Sequence, residues 1–181
     1  METVVIIVLL VILLSVWVIS ARRKLTMLDE NICNAMGQIG IQISSRFDAL
    51  MALLNLAKNY APEESRKLME SVASKRVDIC GGTVPEQLRE QESLLDDALS
   101  RVTELAERTP ELAGEKNYIK YLDALSCYEK MLQTGKLIYN DSVHKFNREV
   151  SRIPTSILAG ILGFQKKSHL ETESKSQNIQ G

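Results

Sequence analysis

The stretch that decides the fold is TVVIIVLLVILLSVWVISA, residues Thr3–Ala21, which carries no charge and no proline. Its only polar side chains are those of Thr3, Ser15 and Ser20. As a helix rising roughly 1.5 Å per residue, the stretch is about 28 Å long, close to the ~30 Å hydrocarbon core of a bilayer. Backbone groups in lipid must be satisfied within the segment, so the stretch predicts one membrane-spanning helix.

The flanks of this stretch favour a retained anchor over a cleaved signal peptide or a buried core helix. The basic residues Arg22-Arg23-Lys24 follow the stretch, whereas only Met1-Glu2 precedes it. The candidate cleavage site Ile19-Ser20-Ala21 has a bulky residue where a small one is needed. A soluble core helix seldom stays apolar on every face for this length. The positive-inside rule places Met1 outside and the rest of the chain in the cytoplasm.

Composition restricts the function classes. The chain has 181 residues and a formal net charge of −1, which does not suggest a nucleic-acid partner. Aromatic residues make up 5%, which favours helices over sheets. The three cysteines, Cys33, Cys80 and Cys127, are far apart and form no CxxC pair. We expect free thiols that act as small buried apolar residues, in agreement with a cytoplasmic bundle.

The apolar pattern becomes one-sided after the anchor. Apolar residues step by three or four, as in an amphipathic helix that buries one face. This stripe comprises Leu25, Leu28, Ile32, Ala35, Ile39, Ile43, Phe47, Leu50, Leu54 and Ala57. No proline interrupts it, so the sequence predicts one rod running from the membrane to about Asn59.

The next segments are shorter. Pro62-Glu63-Glu64 restarts a helix, since proline suits its first turn and acids suit its positive end. Gly81-Gly82 breaks the pattern, either as a loop or as a kink in one long helix; we favour a short loop between collinear pieces. Thr83-Val84-Pro85-Glu86 fits a capping box, S/T-x-x-E, that begins the next helix.

The last long helix is predicted over Lys116–Arg152, after a turn at Thr109-Pro110-Glu111. Its apolar stripe comprises Tyr118, Leu122, Leu125, Tyr128, Leu132, Gly135, Tyr139, Val143, Phe146, Val150 and Ile153. Short connections make sequential helices antiparallel, so we predict an all-α fold: an elongated antiparallel three-helix bundle continuous with the anchor. The third helix would then end far from the bilayer.

These patterns divide the chain into four parts. They are an anchor over 1–21, a helical bundle over 22–153, an apolar segment over 154–164 and a disordered polar tail over 165–181. The apolar segment either folds back to cap the distal end of the bundle or docks a partner.

The bundle resembles the LemA family from Leu25 to about Lys167. The resemblance rests on Ala35, Gln38, Ile39, Gln42, Arg46-Phe47-Asp48, Leu50, Leu53, Tyr60-Ala61, Glu129, Leu132, Tyr139-Asn140, Val143, Phe146-Asn147, Pro154, Leu158-Ala159 and Gly163-Phe164. It implies an N-terminal membrane helix, a mostly helical bundle and a setting at a bacterial inner membrane. The chain departs from the family pattern at Met36, Gly40, Ser44-Ser45, Met51, Met131 and Lys136, which weakens any role for a basic stripe on the first helix.

Chemistry-bearing motifs are sparse. The two histidines, His144 and His169, have no HxxxH, HExxH or CxxC partners, so we predict no metal, cofactor or catalytic residue. Asn140 and Asn147 are seven apart and share a helix face, where they either bond a facing helix and fix its register or line a site. Arg46 and Asp48 are expected to pair across the bundle or with solvent.

These observations favour a non-enzymatic scaffold or protein-interaction module that is anchored by a single pass. Its expected partners are the lipid bilayer and an unidentified protein, with a homo-oligomer also possible. The alternative is an accessory or regulatory subunit of a membrane enzyme, such as a quality-control protease or a signalling system.

Overall fold

A computed structural model describes residues 1–172, and the last nine residues of the predicted polar tail lie outside the described part. Within it the chain is helical. The helices are α1 (Glu2–Ala57), α2 (Pro62–Lys75), α3 (Pro85–Arg108), α4 (Pro110–Ala113), α5 (Lys116–Ser151) and α6 (Thr155–Leu162). The all-α fold class is confirmed.

Helix α1 is one unbroken rod, as its uninterrupted pattern predicts. From Val4 to Ile19 every large apolar side chain except that of Val18 is exposed. From Leu25 onward the predicted stripe is buried, apart from the half-buried Leu28. Among the described residues, α1 alone is long and apolar enough to cross a membrane, by length and composition.

The chain between α1 and α5 follows a different path from the predicted single returning helix. Helix α2 returns along α1, residues 76–80 continue in the same direction outside any helix, and Gly81-Gly82 forms a turn before α3. A Cβ atom on Gly40 would overlap the carbonyl of Ile79, and one on Gly81 would lie 2.8 Å from the carbonyl oxygen of Cys33. Both glycines therefore permit close contact between this connection and α1. The glycine pair belongs to a loop, and the segments beside it are not collinear.

Helix α3 then reverses direction and runs parallel to α1. Its middle residue Asp96 pairs with Arg46 of α1, and its end residue Arg108 lies 3.6 Å from Glu64 of α2. The predicted capping box does not form. Val84 occupies the N-cap of α3, and the Thr83 hydroxyl instead accepts a hydrogen bond of 2.8 Å from the Cys80 amide.

Helix α5 packs along α1 over the most extensive helix–helix interface and runs antiparallel to it. Tyr60, just after α1, bonds Glu115 just before α5 at 2.9 Å, and Lys24 bonds Glu149 at 2.8 Å. The last helix therefore ends beside the anchor. The prediction that it ends far from the bilayer was wrong, as was the prediction that the apolar segment caps the distal end.

The core lies between α1, α3 and α5. Its largest fully buried side chains are Phe47, Phe146, Leu25, Met36, Ile39, Ile43, Leu50, Leu53, Leu54, Leu88, Leu95 and Leu112. Six of the eleven residues of the predicted α5 stripe are buried, whereas Leu122, Tyr128, Gly135 and Val150 are half-buried and Ile153 is 80% exposed. The stripe ends there because α5 stops at Ser151.

Candidate functional site

A charged groove lies between α3 and α5. Its volume is about 500 Å³. The residues that line it are Arg46, Pro85, Arg89, Glu92, Ser93, Asp96, Asp97, Glu129, Gln133, Lys136, Leu170, Glu171 and Thr172. Helices α1, α3 and α5 and the C-terminal segment, residues 165–172, thus contribute to one surface.

Arg46 forms the floor of the groove. Helix α1 places it among core residues, where it is 4% exposed. Its guanidinium donates to Asp96 Oδ1 of α3 at 3.1 Å and lies 2.6 Å from Glu129 Oε2 of α5. One cation therefore joins all three long helices. Of the two predicted alternatives, pairing within the protein rather than with solvent holds for each residue, since Arg46 bonds α3 and α5 and Asp48 accepts a hydrogen bond of 2.8 Å from Arg76.

A second buried cation lies beside the first. Lys136 of α5 is 5% exposed, and its ammonium forms an ion pair with Glu92 of α3. Burial raises the pKa of the Glu92 carboxyl above its usual value, while the Lys136 charge acts in the opposite direction. The raised pKa indicates that the loss of hydration outweighs the attraction of the ammonium.

The exposed rim of the groove is mainly acidic. Asp96, Asp97 and Glu171 keep 64%, 58% and 82% of their side-chain surface in solvent. Arg46 and Lys136 pair with carboxylates of α3 and α5, and the rim carboxylates of Asp97 and Glu171 pair with the exposed Arg101 and Arg89. This arrangement suits contact with a basic or polar partner surface better than proton transfer, because each buried cation already has a carboxylate partner.

The C-terminal segment lies along α5 in an extended conformation, held by two asparagines. Asn147 donates to the Lys167 carbonyl and accepts from the Lys167 amide, both at 2.8 Å. Asn140 does the same with Leu170, at 2.8 and 2.7 Å. The two asparagine side chains therefore bind the backbone of two residues, Lys167 and Leu170, that are three positions apart in the segment. The predicted bonds to a facing helix do not form, and the asparagines fix the register of this segment instead.

Side chains of the same segment also hold it against the bundle. Leu170 is 6% exposed, and Lys167 pairs with Asp29 of α1 while its ammonium lies 5.6 Å from the centre of the Phe146 ring. The Phe164 ring meets the Phe146 ring edge-on at 6.1 Å. The prediction of a disordered tail beginning at residue 165 is therefore wrong for residues 165–172.

The other residues singled out from the sequence lie apart from the groove. His144 projects from the exposed side of α5, and His169 is exposed in the C-terminal segment. Cys80 and Cys127 are exposed and Cys33 is half-buried, so the expectation of buried cysteines was wrong. Hydrogen bonds from the backbone of Gly82 and the side chain of Thr83 lower the pKa of the Cys80 thiol.

Residues 1–172 contain no cluster of three or more histidine, cysteine, aspartate or glutamate side chains placed to hold a metal ion. Sequence reasoning missed the groove because its acids, Glu92 and Asp96, lie in a charged stretch typical of a solvated helix face. The buried position of Lys136, on the apolar side of α5, was the available signal.

An apolar, exposed N-terminal rod that continues into a helical bundle defines the class of all-α proteins with one candidate membrane-spanning helix. The LemA family model matches residues 35–180, most of the chain, and the chain belongs to that family. A comparison with curated proteins found no match.

Proposed function

We propose that this LemA protein is a single-pass, membrane-anchored interaction module at a bacterial inner membrane, with its bundle in the cytoplasm and no enzymatic activity of its own. The observation that carries the proposal is the change within α1. The same helix is apolar and exposed all round before Ala21, and buries one face from Leu25 onward. A helix exposed in this way is stable when lipid covers it.

The acidic groove is the surface that we assign to a protein partner. Five carboxylates and three cations line it, and the side chains of Asp96 and Asp97, although ion-paired, keep 64% and 58% of their surface in solvent. Such a rim attracts a basic segment and excludes acidic ones, which gives specificity to association at a membrane surface.

We expect exposed native cysteines to report the orientation of the full-length protein in intact cells. Cys80 and Cys127 are exposed on the bundle, so a membrane-impermeant maleimide should label them only after permeabilisation. The lowered pKa of Cys80 increases its thiolate fraction and so favours rapid labelling. Glu2→Cys, in a chain whose native cysteines are replaced by serine, should show the opposite pattern. Labelling of the native cysteines without permeabilisation would reverse the orientation.

We expect a photoreactive residue at Asp97, on the groove rim, to crosslink a discrete membrane-associated protein in cells. The control position is Ile41 on α1, which is 58% exposed and does not line the groove. Mass spectrometry of the adducts distinguishes the two candidate roles. Several partners indicate a scaffold, whereas one stoichiometric enzyme indicates a regulatory subunit. Equal adducts from both positions would argue against the groove as the partner surface.

A further inference from the structure

Helix α6 lies at the end of the bundle that meets the anchor. The bond between Lys24 and Glu149 places the end of α5 level with the first residues after the apolar stretch. Helix α6 follows within four residues and packs against both α1 and α5. At this level of α1, Ala21 and Leu25 are buried. The short helix is thus placed beside the predicted membrane surface.

The two faces of α6 have different surroundings. Thr155 and Ala159 face the protein and are 6% and 0% exposed. Ile153, Ile157 and Ile161 recur every four residues and are 80%, 67% and 78% exposed. Residues four apart lie on one side of a helix, so Ile157 and Ile161 form an apolar ridge that points away from the bundle, and the exposed Ile153 lies two residues before the helix.

The charges around α6 suit a bilayer surface. Residues 153–164 carry no ionisable side chain, while Arg152 precedes them and Lys166 follows; Lys167 is paired with Asp29. Arg22-Arg23 lies at the end of the anchor. An uncharged apolar helix edged by cations is the pattern of a segment that lies in the headgroup layer of an anionic membrane.

We propose that α6 docks into the bilayer from which α1 emerges, with Ile153, Ile157 and Ile161 buried in its interfacial layer. This inference rests on the proposed membrane anchor. The bilayer is favoured over a protein partner because the ridge adjoins the end of the apolar stretch, at the level of Lys24. The contact gives the rod a second attachment to the membrane and so limits its tilt.

The test uses the full-length chain in vesicles of phosphatidylcholine and phosphatidylglycerol, with and without lipids brominated near the headgroup end of their acyl chains. Trp17 is the only tryptophan. Ile161→Trp in a Trp17→Phe background therefore reports on α6 alone. Its matched control is Leu137→Trp in the same background, at an exposed apolar position on α5. Gly135 of α5 lies against Ile39 of α1, which is roughly 22 Å along the helix from Lys24.

We expect brominated lipid to remove most of the fluorescence of the indole introduced by Ile161→Trp and little of that introduced by Leu137→Trp. Equal quenching of the two would overturn the proposal. A blue-shifted emission at position 161 without quenching would also overturn it, since a protein surface would then cover the ridge. Ile157→Trp repeats the test if the first variant does not fold.

Quenching of Trp17 in the unmodified chain tests the anchor separately. If Trp17 is quenched and the indole at position 161 is not, the anchor stands and the docking of α6 is wrong. If Trp17 is not quenched, the proposed anchor itself fails.

Discussion

Phe146→Ala should lower the free energy of unfolding by about 3–5 kcal/mol, a large part of the stability of a typical domain. The Phe146 side chain is 0% exposed at the interface of α1 and α5. Its ring also meets Phe164 edge-on and lies beneath the ammonium of Lys167. Truncation therefore leaves a cavity in the core and removes two contacts that hold the C-terminal segment.

The matched control is His144→Ala, two residues earlier on the same helix. His144 is exposed, so this substitution should change stability by less than about 0.5 kcal/mol. Urea unfolding of the full-length chain in mild detergent, followed by circular dichroism, measures both variants. Equal midpoints for the two would show that Phe146 does not belong to the stabilising core.

The buried face of each long helix could be predicted from the sequence. A residue every three or four positions has to be apolar where one side of a helix is buried, and α1 keeps this pattern from Leu25 to Ala57. The apolar run Thr3–Ala21 is equally readable as a candidate membrane span, and it lies in a helix long and apolar enough to cross a membrane. Burial of Phe146 and exposure of His144 follow from the same periodicity in α5.

The path of the chain could not be predicted in this way. Periodicity indicates which face of a helix is buried but carries no information on its direction. Residues 76–80 are not helical, and five residues of extended chain span up to about 17 Å. They carry the chain along α1 to the level of Cys33, where the turn at Gly81-Gly82 lets α3 begin. The chain therefore reverses direction once more than predicted, so α5 runs opposite to its predicted direction. This places α6 at the other end of the bundle from its predicted position.

The groove was hidden for a related reason. Its ion pairs join residues far apart in the chain, such as Arg46 with Asp96 and Glu129. A carboxylate on a charged helix looks the same in sequence whether it faces solvent or a buried cation. Only the parallel packing of α3 on α1 brings these groups together.

The pair of Glu92 and Lys136 gives the second large expected effect. Glu92→Leu leaves the Lys136 ammonium, which is 5% exposed, without its carboxylate. Removing one partner of a buried ion pair costs about 3–5 kcal/mol, because the remaining charge is neither hydrated nor paired. We expect a loss of this size in urea unfolding.

The double variant Glu92→Leu with Lys136→Met should recover most of that loss. Apolar side chains of similar volume often replace a buried pair at no net cost, because they avoid the desolvation of both charges. The raised pKa of Glu92 shows that this desolvation is substantial here. A double variant as unstable as Glu92→Leu alone would mean that the pair itself stabilises the bundle. Recovery of stability would mean that the ion pair lowers the free energy of unfolding relative to apolar side chains, and that its charges serve the groove instead.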